Sequence, residues 1–460
     1  MALRRRAVGP SVRPWALAGP VLILLIAAPL LRPLLHPGVA SGGERATLLV
    51  VRSLLSSGSL AFAPPGDLPS ADLYHAVGGG TYSAEPPAWA VYLAAVAWNL
   101  ERFGITFESN PLLLEYLLIF FAVTLPTALA CGLLYRCGRA FELPRPWRMT
   151  AAILCVAATG WLSYATVLLP HATAAALVVV SFTTALHLLI AKKPGYAVGW
   201  LLPGGFAAGA AAAIEPSAAW MLLALPAAVI ALPHARGLRT IGVILCVMGA
   251  ASPLALHTTL SEAITGSPLP PRWHMALPAA AEVLPAEEID AGDATAWPAI
   301  GRFVARAAIF TVGPHGVLSH FPLLVVGLAG TLIVLRRHWP APLKCLAGGA
   351  LLGLIALLCL RAAGRLDPSD AYFAAPKLLS PLPILLLCGG AWFRRPHPPS
   401  TRTVIILAAV ASVTITLIGA TAPAPPNGYT GYTAAQVVER WLTPGRSHPT
   451  TTRASTTRSP

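Results

Sequence analysis

Charge is what this chain has least of. Of its 460 residues, 11% are Asp, Glu, Lys or Arg and just 18 are acidic, whereas soluble domains average roughly 25% charged residues. So little charge cannot cover a water-facing surface, which excludes an ordinary soluble protein. The seven cysteines (Cys131, Cys137, Cys155, Cys246, Cys345, Cys359 and Cys388) avoid the long polar segments and show neither a disulfide framework nor zinc-ligand spacing. They read as small apolar core residues. There is no short-period repeat and no polar stretch long enough for a separate soluble domain.

What is there is apolar. Hydrophobic residues make up 56% of the chain, and they recur in windows of about 17–25 residues, the length that crosses a ~30 Å hydrocarbon layer as helix. The expectation is an all-α polytopic membrane protein with about 11 transmembrane helices. The spans fall near 15–35, 111–135, 149–169, 172–191, 196–213, 217–233, 240–257, 315–335, 345–361, 375–393 and 403–421.

The net charge of +14 sorts by loop. With Arg4, Arg5, Arg6 and Arg13 placed in the cytoplasm, alternate loops read "RCGRAFELPRPWR", "KK", "HARGLR", "RRHWPAPLK" and "RRPHPPSTR". Together with the N-terminus they hold 18 of the 32 basic residues and a single carboxylate, Glu142. This is the positive-inside pattern, so the basic excess reads as topology and not as a nucleic-acid surface. It predicts an integral membrane protein with a cytoplasmic N-terminus and extracytoplasmic long loops.

Two of those loops are long, about 36–110 and 258–314, and a shorter one spans 362–377. Residues 1–445 thus form one membrane domain, and the Thr/Ser/Pro/Arg-biased 446–460 is expected to be a disordered tail. In the first loop, 44–58 and 86–100 are helix-length and amphipathic or aromatic-flanked, suited to lie at the membrane interface. Between them stands "GGGTYSAEPPAW", 78–89. It lacks the lysine and hydroxyl that follow a phosphate-binding glycine loop, and no buried strand is evident before it, so a nucleotide site is excluded.

Several segments, in order, resemble the bacterial GT-C-type membrane glycosyltransferases of the dolichyl-phosphate-mannose–protein mannosyltransferase-like group. "SGGERATLLVVRSLLSSGSLAF" and "DLYHAVGGGTYSAEPPAWAVYLAAVAW" resemble that group's first outer loop. "WLSYATVLLPHATAAALVVVSF", "GFAAGAAAAIEPSAAWMLLALP", "ALHTTLSEAITGSPLPPRW", "GPHGVLSHFPLLVVGLAG" and "DAYFAAPKLLSPLPILLL" resemble later span ends, so the likeness covers about residues 40–395. It implies a transferase that moves a sugar from a polyprenyl-phosphate donor to a lipid, glycan or protein acceptor, with Glu44 as general base. Where the group shows Asp-Glu this chain has Gly43-Glu44, and where it shows a lysine after Tyr-Ser this chain has Ala84-Glu85. Arg272 and Lys377 are the basic residues that could compensate.

Each candidate also has a plainer account. Glu44 could simply favour a helix N-terminus; Glu85 could be solvated; Tyr82 could stack on a sugar or anchor at the interface. His171 could orient helices, and Glu215 could shape a Pro turn, although an ionisable group at the membrane edge is a functional suspect. Arg272, Arg365 and Lys377 are phosphate candidates because outer-side cations run against the charge bias, and lipid headgroups are their alternative partners. The acidic stretch 282–293 has no calcium-loop spacing. No cofactor is indicated: a divalent metal is compatible with the chemistry, but no ligand pattern points to one. The rival functions are a non-catalytic GT-C-like binding protein and a transporter or flippase.

Overall fold

The computed structural model describes residues 42–275, 296–363 and 376–421 with part of 20–27, apart from 67, 69–71, 77, 192–193, 314–315 and 395. Most of the expected first span, the acidic stretch 282–293, Arg365 and the expected tail 446–460 lie outside the described residues.

The first outer loop holds α1 (Gly42–Ser57), β1 (Leu73–His75), β2 (Thr81–Ser83) and α2 (Pro87–Glu101). On α1, Arg45 and Arg52 face out while Glu44, Ala46, Thr47, Val50 and Val51 are buried, as the one-sided pattern predicts. The glycine stretch between the helices proves to be a hairpin, with Leu73 opposite Ser83, Tyr74 opposite Tyr82 and His75 opposite Thr81. Two turn bonds close it, Gly79 N–H to Ala76 O and Ala76 N–H to Gly80 O, both 2.9 Å. A strand does precede the glycines, contrary to expectation. The element that follows is a second strand, so the strand–turn–helix of a nucleotide loop is still missing.

Then come α3 (Pro111–Cys137), α4 (Arg145–Ala157), α5 (Pro170–Ile190), α6 (Leu201–Ile214), α7 (Trp220–Ile230) and α8 (Arg236–Thr265). They are followed by α9 (Ala296–Val312), α10 (Leu324–Arg336), α11 (Ala341–Ala362), α12 (Leu382–Cys388) and α13 (Pro399–Thr421). Among the described residues six helices are long and apolar enough to cross a membrane, and a bent pair, Ile300–His320 with Leu324–Arg336, makes a seventh candidate. The expected spans at 149–169, 217–233 and 375–393 are shorter helices ended by breaks. α4, for example, stops before Gly160, whose φ of +75° an L side chain rarely adopts.

Packing inside the bundle repairs what the sequence breaks. Pro126 in α3 has no N–H to give the Ala122 carbonyl one turn earlier, and a π-turn occupies Phe120–Thr124. Thr173 Oγ1 of α5 donates to that carbonyl at 2.7 Å, so it is not left bare. Small residues bring α6 and α8 into backbone contact: a Cβ on Gly205 would lie 2.2 Å from the Cys246 carbonyl oxygen, and one on Gly249 2.2 Å from that of Leu202. α8 is 30 residues long, about 45 Å at 1.5 Å per residue. It therefore outruns the hydrocarbon layer and carries Ile264 up to the first outer loop.

Candidate functional site

Glu44 sits in the first turn of α1 and is 1% exposed. Its Oε1 accepts a 2.6 Å hydrogen bond from the Leu168 N–H. Leu168 belongs to the segment that leads into α5, so the carboxylate is fixed to backbone more than a hundred positions away. A first-turn carboxylate that served the helix dipole alone would stay in water. This one is removed from water and held by a partner.

Three residues beyond Leu168, His171 begins the buried face of α5. Its Nδ1 lies 2.5 Å from Glu215 Oε2, and the ring of Tyr164 meets it edge-on at 6.0 Å. Glu215 ends α6 and caps the Pro216–Ala218 turn, accepting from Ser217 N–H at 3.2 Å. The pair thus links the start of α5 to the turn after α6, which is the geometry that the plainer accounts of both residues require. Burial pushes the Glu215 carboxyl up, but His171, Lys377 and the Ser217 N–H pull it the other way and prevail, so it stays below its ordinary value and ionised at neutral pH. Lys377 is half-buried beside this group. Its segment is stitched to the turn through Ser380 Oγ, which donates to Ser217 O at 3.2 Å and accepts from Trp220 Nε1 at 3.1 Å.

A second group gathers on the hairpin. Glu85 is 9% exposed, not solvated. Arg272, from the second outer loop, places Nη2 3.4 Å from Glu85 Oε1 and 3.7 Å from Asp72 Oδ1. The negative charge at Glu85 is thus matched within the fold, and Arg272 is engaged by two carboxylates. Tyr82 lines a small pocket with Glu85, Trp89, Ile264 and, from α1, Thr47 and Val50.

The contacts fall into two sets: Glu44 is tied to the segment leading into α5, where His171 pairs with Glu215 within reach of the Lys377 charge, and Arg272 joins Glu85 and Asp72 at the hairpin that carries Tyr82. Glu44 and Lys377 are not among the residues lining the Tyr82 pocket. Thr47, one turn along α1 from Glu44, does line that pocket. Arg365 lies outside the described residues. Among the described residues no group of three or more His, Cys, Asp or Glu side chains is arranged to hold a metal ion.

Sequence reasoning missed Asp72 and the Leu168 N–H. An acidic residue just before a Tyr-His strand was a faint signal for the first. A backbone donor leaves no trace in residue identity, so nothing pointed to the second.

This architecture defines the class: a polytopic integral membrane protein with the GT-C fold. Three solved structures carry that comparison. AglB, the oligosaccharyltransferase of Archaeoglobus fulgidus, in complex with an inhibitory peptide and a dolichol-phosphate, is similar at TM-score 0.53 and 14% identity, covering 90% of this chain and 57% of that one. The apo form of that organism's oligosaccharyltransferase gives TM-score 0.52 and 13% identity over 89% and 57%. ArnT from Cupriavidus metallidurans bound to undecaprenyl phosphate gives TM-score 0.52 and 16% identity over 93% and 70%. The chain thus spans little more than half the length of the archaeal structures it matches. No family model matches the sequence, and no curated protein matches it.

Proposed function

We propose that the chain is a membrane glycosyltransferase that takes a sugar from a polyprenyl-phosphate donor and transfers it to a lipid, glycan or protein acceptor, with Glu44 as general base. One observation carries the reading: a buried carboxylate at the start of the first outer-loop helix, oriented by Leu168 N–H, in a GT-C fold. Solved structures of that fold include one with a dolichol-phosphate and one with undecaprenyl phosphate. Glu44 removes the proton of the acceptor hydroxyl as that oxygen attacks the anomeric carbon. The sugar–phosphate bond breaks, and its electrons leave with the lipid phosphate. A cation must meet that developing charge, and Lys377 is the candidate. His171 and Glu215 position the segment that holds Glu44, and Arg272 pins the hairpin through Glu85. The bacterial inner membrane is the location that the resemblance implies, and the charge bias of the loops supports an extracytoplasmic site.

The test uses the full chain in liposomes supplied with polyprenyl-phosphate sugars of several kinds and mixed acceptors. Transfer by the wild type and its loss in Lys377→Ala support the reading. Flux of a lipid or sugar across the bilayer without transfer from any donor overturns it in favour of a transporter.

A further inference from the structure

At the other end of the bundle lies a cleft that the proposed chemistry does not use. His187 is 16 positions along α5 from His171, about 24 Å at the helical rise of 1.5 Å per residue. There α3, α5 and the approach to α6 enclose a volume of about 350 Å³, within the usual 300–1,000 Å³ range of small-molecule sites. Its walls are mainly apolar, with Leu133 from α3, Val180 from α5, and Pro203. Its floor is tight, because a Cβ on Gly204 would lie 2.2 Å from Thr184 Oγ1. The basic groups lie on the helix-end side, Arg136 in the last turn of α3 and His187 in the last turn of α5, while the Thr183 and Thr184 hydroxyls in the wall donate to backbone carbonyls of α5. Trp200 stands at the rim, 58% exposed. Such an indole suits the boundary between acyl chains and headgroups.

Charge settles what such a cleft would take. No carboxylate is among its lining residues. Beside it the Arg139 guanidinium is disfavoured first by partial burial and then by the nearby charges of Arg148, Arg136 and Arg145. Glu142, the acid within that loop, is bound to Arg394, with Oε2 2.5 Å from Nη2. The rim is therefore a patch of unbalanced positive charge above an apolar trough that opens where lipid would lie. A neutral amphiphile would leave that charge unmatched, and a soluble anion would leave the trough empty. We infer that this cleft seats an acyl chain of an anionic phospholipid whose phosphate is held by Arg136 and His187, at the end of the bundle opposite Glu44. A phosphate there accepts charge-assisted hydrogen bonds from the guanidinium and a ring N–H from the imidazole, while the chain covers Leu133 and Val180. This site is independent of the sugar-transfer reading.

The experiment puts the full chain into nanodiscs of phosphatidylcholine containing a small fraction of phosphatidylglycerol. The bromine quencher is carried on the acyl chains of one lipid or the other. The signal of Trp200 is isolated from the other tryptophans by subtracting a Trp200→Phe sample. At equal mole fraction, brominated phosphatidylglycerol is expected to quench Trp200 more than brominated phosphatidylcholine, and Arg136→Gln to abolish the difference. Arg136 is exposed, so this variant should fold. Val180→Trp (measured by native mass spectrometry of co-purified lipid) keeps the charge and fills the trough, and is expected to lose the bound phosphatidylglycerol as well. Equal quenching by both lipids overturns the inference. So does a preference that survives Arg136→Gln, or phosphatidylglycerol retained in full by Val180→Trp.

Discussion

Arg272 Nη2 lies 3.4 Å from Glu85 Oε1, tying the second outer loop to the hairpin of the first. Both side chains are mostly shielded from water, at 17% and 10% exposure, and Asp72 shares the guanidinium. Arg272→Ala would leave two carboxylates facing each other with their cation gone. The expected cost is about 1–3 kcal/mol, read as a lower melting temperature in detergent. Arg272→Ala with Glu85→Gln should recover part of that loss, because one stranded charge is removed. A double variant no more stable than the single would show that the pair does not hold the loops.

Glu215 gives a pH prediction. Its folded carboxyl lies below its ordinary value of 4.5, so the unfolded chain binds the proton more readily. The stabilisation is therefore complete above 4.5 and is lost as pH falls through the lower folded value. Wild type should melt above Glu215→Gln at neutral pH, and the gap should close on acidification below about pH 4.5. A gap unchanged across that window would mean the ionised Glu215 carboxylate contributes nothing to stability.

The contact between α6 and α8 leaves no space at Gly205. Gly205→Leu must push aside the Cys246 carbonyl, and over-packing of this kind costs about 1–3 kcal/mol or more. Size-exclusion profiles in detergent should show aggregated protein. Gly237→Ala, where nothing lies within 4 Å of the added Cβ, should behave as wild type. Equal profiles for the two variants would contradict the helix contact.

Much of this was legible in the chain. Apolar run length announced the membrane helices, and the one-sided pattern of 44–58 announced α1 with Arg45 and Arg52 outward. The partners of the site were not legible. Glu85 beside Pro-Pro looks solvated until Arg272 arrives from the second outer loop, and His171 gives no hint of Glu215 on another helix. Three-residue strands such as Leu73–His75 are too short for an alternating pattern to stand out, so the hairpin passed as a turn. The stretches 149–169 and 375–393 look continuous because hydropathy averages over local breaks, such as the left-handed Gly160.

Glu44→Gln tests the central claim most directly. The amide oxygen can still accept the Leu168 N–H, so the fold and the donor site should persist while the base is lost. With a polyprenyl-phosphate sugar that the wild type uses, kcat should fall by about 10²–10⁴-fold, with KM for the donor little changed. Glu44→Gln transferring sugar at the wild-type rate would contradict the assignment of Glu44 as the general base.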